Sequence, residues 1–133
     1  MQDFQNLIVW QRARVLALAV DSVIQRLARG QSIALKGQLG RAADSISANI
    51  AEGSAAASQR EFARYLDIAI KSCSEVQHHI LAARDRRLVR EVVADGLADE
   101  VVQIRRMLYV LRRRVLEQHS AAGGKSRRSV NRD

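Results

Sequence analysis

Apolar residues recur at alternating steps of four and three along one long segment of the chain, and this spacing constrains the fold more than any other feature. The stripe consists of Phe62, Leu66, Ala69, Cys73, Val76, Ile80 and Ala83. An α-helix turns once every 3.6 residues, so this spacing places the whole stripe on one face. The pattern predicts an amphipathic helix that buries this face against other helices, with Cys73 as a small core residue.

Three further segments show the same periodicity: roughly residues 5–28, roughly residues 33–52, and the segment after the basic connector "RDRRLVR". The predicted core positions of the first are Val9, Ala13, Leu16, Val20, Val23 and Leu27, widened by Trp10, Ala17 and Ile24. Those of the second are Leu35, Leu39, Ala42 or Ala43, Ile46 and Ile50. Those of the fourth are Val93, Leu97, Val101, Ile104, Leu108, Leu111 and Val115. Proline is absent, which also favours long helices.

The connection between the second and third segments contains both a stop and a start. Gly53 lies where a left-handed C-terminal cap of the second helix is expected. Earlier in the chain, Gly30 is expected to break the first helix. Ser58 is a candidate N-cap, with Glu61 as its capping-box partner.

Four helical segments in 133 residues indicate one domain. The predicted fold class is all-α, an antiparallel up-down-up-down four-helix bundle over residues 1–118. Residues 119–133 lack apolar periodicity and are rich in Gly, Ser and Arg, so we predict a flexible, disordered basic tail there. The apolar first segment is interrupted by charged residues and is not expected to span a membrane, and a single cysteine is typical of a reducing compartment. We therefore expect a soluble, cytoplasmic protein.

Positive charge is concentrated near the C-terminus. The net charge is +8, and from residue 103 onward nine Lys and Arg residues accompany two acids, a surplus of +7. Such asymmetry indicates a polyanionic partner such as RNA or DNA. The predicted nucleic-acid-binding residues are Arg105, Arg106, Arg112, Arg113, Arg114, Lys125, Arg127 and Arg128.

These arginines repeat at a spacing of seven, Arg105 with Arg112 and Arg106 with Arg113, which predicts two guanidinium pairs along one exposed side of the fourth helix. We expect no aromatic residue to interleave with them, so base stacking is not predicted. A solvated helix face without a ligand is the alternative interpretation of the same run.

A second polar pattern follows the core stripes of the second and third helices. It consists of Arg41, Ser45, Asn49, Glu52, Glu61, Tyr65, Ser72, Glu75 and His79. The structural interpretation is hydrogen bonding between helices or subunits, since flanking polar residues usually satisfy one another. The functional interpretation is a shared polar groove for a ligand.

A metal centre and an enzyme active site are both disfavoured. Four-helix bundles can bind two metal ions through Glu-x-x-His motifs, and Glu75 to His78 has that spacing, but the chain contains no second such motif. No nucleophile, base and orienting group can be assembled from the sequence. We therefore predict no metal, no cofactor and no catalytic residue.

The stretches "RAADSISANIAEGS" (41–54) and "EFARYLDIAIKSCSEV" (61–76) resemble the small bacterial four-helix-bundle family encoded by intervening sequences inside 23S rRNA genes. "FQNLIVWQRARVLA" is similar to that family's opening helix, and the resemblance covers roughly residues 4–116. One departure is Lys71, which stands where the family usually has glycine in Ile-Ala-x-Gly-Ser.

The resemblance implies a homo-oligomer, with a pentameric ring as the expected arrangement. It also implies kinship with the accessory variability proteins of diversity-generating retroelements, which associate with a reverse transcriptase and nucleic acid. The leading hypothesis is a non-enzymatic, oligomeric bundle that binds RNA or DNA through its basic surface. The alternative is a protein-interaction scaffold, for example an accessory subunit of a reverse transcriptase or another nucleic-acid enzyme.

Overall fold

The computed structural model describes residues 3–27 and 32–130, and for residues 122–130 it describes the backbone alone. A short 3-10 turn, Phe4–Asn6, precedes α1 (Ile8–Arg26) and α2 (Ile33–Ser54). They are followed by α3 (Gln59–Asp85) and α4 (Glu91–Val130). The predicted all-α class and the four helices are confirmed.

Side-chain contacts show that α3 and α4 are antiparallel. From one end of the pair to the other, Asp67 contacts Arg112, Gln77 contacts Arg105, and Arg84 contacts Asp95. The residue number rises along α3 while that of its partner falls along α4. Because α1 also packs on α2 and α4, and α2 on α3, the four helices close around one core as a four-helix bundle.

The core is built from the predicted stripes. Every predicted position of α3 is buried, and the predicted stripe of α2 is buried as well. At the centre lie Leu16, Leu39, Ile46, Leu66 and Leu108, each at most 1% exposed. Cys73 is completely buried among them, which confirms its interpretation as a core residue.

The core differs from the prediction at the start of α4. Val93 and Leu97 are only partly buried there, whereas Ala94 and Ala98 fill the core positions. Both pairs satisfy the helical period, so the pattern allows either face to turn inward. The small alanine side chains permit a closer approach of α4 to its neighbours than valine and leucine would.

Ser58 is the N-cap of α3, as predicted, because its Oγ accepts a hydrogen bond of 3.1 Å from the backbone N–H of Glu61. The prediction for Gly53 is wrong: this residue lies inside α2, which ends at Ser54. A Cβ at Gly53 would lie 2.7 Å from Phe62 Cδ1 and 2.9 Å from Tyr65 Cβ. Glycine is therefore required here for the close approach of α2 and α3, and not for a left-handed turn.

The C-terminal segment also differs from the prediction. From His119 to Val130 the backbone continues the helix of α4, where the sequence predicted a flexible tail. No proline stops the helix in this segment, although Gly123 and Gly124 are poor helix formers. Along this part of α4, Val115 is buried and residues 117–121 are exposed. The expected break at Gly30 lies outside the described residues.

Candidate nucleic-acid interface

The buried stripe of α4 determines which of its arginines reach solvent. That stripe consists of Val101, Ile104, Leu108 and Val115. Arg106, Arg113 and Arg114 lie away from it and are exposed. Among the side chains that the structure describes, none forms an ion pair or a hydrogen bond with these three guanidinium groups. We call Arg106, Arg113 and Arg114 the α4 arginine surface.

Arg105 and Arg112 do not belong to this surface, which corrects the prediction of two exposed guanidinium pairs. Arg112 Nε donates a hydrogen bond of 2.6 Å to Asp67 Oδ1, forming an ion pair with α3. Arg105 Nη1 donates to Gln77 Oε1 at 2.8 Å and to Ser74 Oγ at 3.3 Å. Both side chains lie along the seam between α3 and α4 and connect the two helices. The spacing of seven predicts that they share a line on the helix, but it does not reveal that α3 lies beside that line.

Tyr109 is the aromatic residue that the sequence interpretation missed. It stands between the two groups of arginines in "RRMLYVLRRR", three residues after Arg106 and four before Arg113. Its side chain is 55% exposed. Those spacings place all three residues on one face of α4. The expectation that no aromatic residue interleaves with the arginines is therefore wrong, and the sequence alone was sufficient to show it.

A shallow depression of about 640 Å³ borders Tyr109 on this face. Its other lining residues include Val110, Arg113, Leu116 and Glu117. Glu117 is the one acid in α4 between residues 103 and 121, and it is exposed. The face thus combines positive charge with accessible apolar area. For Lys125, Arg127 and Arg128 the structure gives a helical backbone, while their side chains lie outside the described part of the chain.

The polar stripes of α2 and α3 meet across a second depression, of about 530 Å³. Its polar lining residues are Gln38, Arg41, Ser45, Lys71, Ser72, Glu75 and His79. The predicted convergence of the two stripes is therefore present. Lys71, at the position where the family glycine was expected, is exposed and borders this depression.

The serine hydroxyl groups of the stripes are already paired. Ser72 Oγ donates to Ser45 Oγ at 2.8 Å, joining α3 to α2. Asn49 Nδ2 donates to Ser45 Oγ at 2.9 Å and to the Ser45 carbonyl oxygen at 2.8 Å. These contacts favour the structural interpretation of Ser45, Asn49 and Ser72, because their polar atoms satisfy one another. Glu52 and Glu61 are exposed, away from this pairing.

The surroundings of His79 lower the pKa of its imidazole below the ordinary value. Burial lowers the pKa of its imidazole, and the neighbouring charges of His78 and Arg86 lower it further, while Glu75 acts in the opposite direction. The rings of His78 and His79 are in edge contact, with centroids 5.2 Å apart. Within the described residues, no group of three or more His, Cys, Asp or Glu side chains is placed to hold a metal ion.

A further depression of about 480 Å³ lies at the end of the bundle where α2 passes into α3. Gly53, Ser58, Phe62, Arg114 and Gln118 contribute to its lining. One edge of the α4 arginine surface therefore reaches the α2–α3 connection. None of the helices in the described ranges combines the length and the apolar character needed to cross a membrane.

A solved structure with the same architecture belongs to a protein of unknown function from the S23 ribosomal protein family of Bacteroides thetaiotaomicron. It superposes with a TM-score of 0.75 at 21% sequence identity, covering 79% of this chain and 98% of that one. This likeness shows the fold. No curated protein matches the chain. The sequence profile of the 23S rRNA-intervening sequence proteins matches residues 5–110, which include α1 to α3 and half of α4. The chain therefore belongs to the 23S rRNA-intervening sequence protein family.

Proposed function

We propose that this protein is a non-enzymatic nucleic-acid-binding bundle that holds phosphate groups on the α4 arginine surface. The carrying observation is that Arg106, Arg113 and Arg114 are exposed and have no acidic partner among the described side chains. A guanidinium group presents a rigid fork of N–H donors that matches phosphate oxygens. Because all three arginines start from the backbone of one rigid helix, less entropy is lost when a nucleic acid contacts all three at once.

The charge around this surface supports the proposal. Asp67 is already paired with Arg112. Glu117 is then the one acid of α4 between residues 103 and 121 whose negative charge opposes the positive charge of this surface. The formal surplus of +7 after residue 102 adds a long-range attraction for polyanions. The family description refers to 23S rRNA, so RNA is the first nucleic acid to test.

The direct test replaces Arg106, Arg113 and Arg114 together by glutamate and measures RNA binding by fluorescence anisotropy. Between about 50 and 200 mM KCl, affinity for the unchanged protein should fall steeply, because bound phosphates release counterions. We expect the triple variant to bind about 100-fold more weakly and to lose about two units of the slope of log K against log salt.

The matched control changes Arg26, Arg86 and Arg90 to glutamate, since all three are exposed and lie at the opposite end of the bundle. Its net charge is the same as that of the test variant. If net charge alone attracts RNA, both variants lose affinity equally and the assignment to α4 is wrong. Retention of full affinity by the test variant would also contradict the proposal.

A second candidate function, a protein-interaction scaffold, is favoured by an exposed apolar stripe on α1. Ile8, Val15 and Leu18 are 65%, 67% and 60% exposed and lie within one helix face. Soluble monomers rarely leave such side chains together in water. We propose that a second copy of this chain covers the stripe, in a homo-oligomer for which the family resemblance suggests a pentamer. Alternatively, a different protein covers the stripe, as in an accessory subunit of a reverse transcriptase. A protein partner that stays bound after nuclease treatment would support this alternative.

A further inference from the structure

Tyr109 occupies the middle of the exposed face of α4. Arg106 precedes it by three residues and Arg113 follows it by four, so the three side chains leave the helix in nearly the same direction. With a rise of 1.5 Å per residue, the two arginines are separated by about 10 Å along the helix axis. Tyr109 lies between them, so a strand that contacted both guanidinium groups would pass over its ring.

The ring of Tyr109 is accessible. More than half of the side chain is in water. The ring contacts in the described part of the chain, Phe4 with Trp10 and His78 with His79, do not involve it. Its hydroxyl has no hydrogen-bond partner among the described side chains. A large aromatic side chain left in water forgoes the free energy that its burial would provide, and a ligand that covers it recovers that free energy.

The chemistry of this face distinguishes single strands from duplexes. Arginine contacts phosphates in either form, whereas an aromatic ring stacks on a base only when the base is unpaired and its face is open. Val110, which is 38% exposed, extends the apolar area beside the ring. A regular duplex would offer the face only its phosphates and would leave Tyr109 in water.

We propose that α4 binds single-stranded nucleic acid in preference to duplex, with Tyr109 stacking on an unpaired base while Arg106 and Arg113 hold the phosphates on either side. This inference rests on the proposed function, since it specifies the ligand of the same surface. Glu117, the nearest acid in the sequence on this face, lies four residues beyond Arg113. It therefore repels phosphates beyond that end of the contact.

The test uses a fluorescent RNA of about 20 nucleotides without internal pairing, free or annealed to its complement. Tyr109→Leu removes the ring but keeps an apolar side chain with good helix propensity, and Tyr109→Phe keeps the ring. We expect Tyr109→Leu to weaken single-strand binding about 10-fold and to leave duplex binding unchanged. Tyr109→Phe should retain single-strand affinity within about 2-fold.

An oligonucleotide of the same length with abasic sites supplies phosphates without bases. Tyr109→Leu and the unchanged protein should bind it equally, because neither can stack. Equal loss of single-strand and duplex affinity in Tyr109→Leu would overturn the inference, as would no loss of either. If light scattering shows that Tyr109→Leu changes the number of subunits, the ring belongs to a protein interface and the inference is also wrong.

The two proposals fail in different ways. If replacement of the α4 arginine surface leaves binding intact, the proposed function fails, and this inference fails with it. If that replacement abolishes binding to both forms of RNA but Tyr109→Leu behaves like the unchanged protein, the surface binds phosphates and only the stacking role is rejected. Circular dichroism and the melting temperature of each variant establish that the bundle is folded.

Discussion

At the scale of single residues, Cys73 shows how burial changes chemistry. Burial raises the pKa of its thiol from 9.0 to about 12, and the positive charge of Arg105 opposes that shift only in part. The thiol therefore stays protonated at neutral pH, and a buried, protonated thiol is a poor nucleophile. In this protein Cys73 acts as a small apolar side chain between the helices.

The raised pKa makes a prediction about stability. A thiol that ionises more easily in the unfolded chain stabilises the fold fully below pH 9.0, and this contribution is lost as the pH rises toward 12. Relative to Cys73→Ala, which carries no titrating proton, the unchanged protein should lose up to about 1.4 kcal/mol of unfolding free energy per pH unit above that point. Urea unfolding of both proteins from about pH 7 to 10 measures the difference. Parallel pH profiles would contradict it.

At the scale of secondary structure, the approach of α2 to α3 depends on Gly53. An added methyl group there would overlap Phe62 and the Cβ of Tyr65, and the latter belongs to the rigid start of a side chain. We expect Gly53→Ala to lower the unfolding free energy by about 1 to 3 kcal/mol because the helices must move apart. Thermal and urea unfolding provide the measurement.

Gly37 supplies the matched control, because it lies in the interior of the same helix and a Cβ there would meet no atom within 4 Å. Gly37→Ala should raise the unfolding free energy by about 0.5 to 1 kcal/mol, since alanine is the better helix former. The same glycine-to-alanine substitution is thus expected to lower the unfolding free energy at one position of α2 and to raise it at the other. A higher unfolding free energy for both variants would show that contact at Gly53 does not set the distance between α2 and α3.

At the scale of the whole molecule, the described residues include two exposed surfaces of different chemistry, the α1 stripe and the α4 arginine surface. The α1 stripe is apolar, and the α4 arginine surface is positively charged. If copies of the chain associate through α1, the assembly gathers several arginine surfaces, and nucleic-acid affinity rises through multivalent contact. Assembly and binding would then be coupled.

The assembly prediction can be tested by replacing Val15 and Leu18 with aspartate. We expect the variant to be monomeric by light scattering, because two charges would have to be buried in the interface. Val92→Asp is the control, since Val92 is also exposed, at 69%, but lies on a different helix, α4. An unchanged protein that is itself monomeric, or a variant that keeps the mass of the unchanged protein, would contradict the prediction.

Much of the fold followed from residue spacing, and the exceptions share a cause. The stripe of α3 was predicted in full because a period of four and three leaves a single face to bury. At the start of α4 two neighbouring apolar lines, Val93 with Leu97 and Ala94 with Ala98, both fit that period, and the alanine line turned inward. The sequence pattern predicts a helix end at Gly53, because spacing along the chain does not reveal that Phe62 and Tyr65 of α3 lie against this residue.

For the candidate site too, residue spacing shows some features, and others depend on how the helices pack. The linear pattern shows that Arg105 and Arg112 share a line, that Arg106 and Arg113 share another, and that Tyr109 lies among them. The pairing of Arg112 with Asp67 and of Arg105 with Gln77 depends on where α3 lies. The functional list drawn from sequence therefore included two residues that connect helices and omitted an exposed aromatic ring.

Helix type, helix number and the core of α2 and α3 are properties of local spacing, because a helix repeats every few residues and its apolar face must be buried. The partner of each side chain outside that core depends instead on the distance and rotation between helices, which contacts distant in sequence establish. For that reason the chain's own pattern specifies a four-helix bundle with a basic fourth helix. Packing alone decides that Gly53 spaces α2 from α3, that Arg112 connects α4 to α3, and that Arg106, Tyr109 and Arg113 remain exposed.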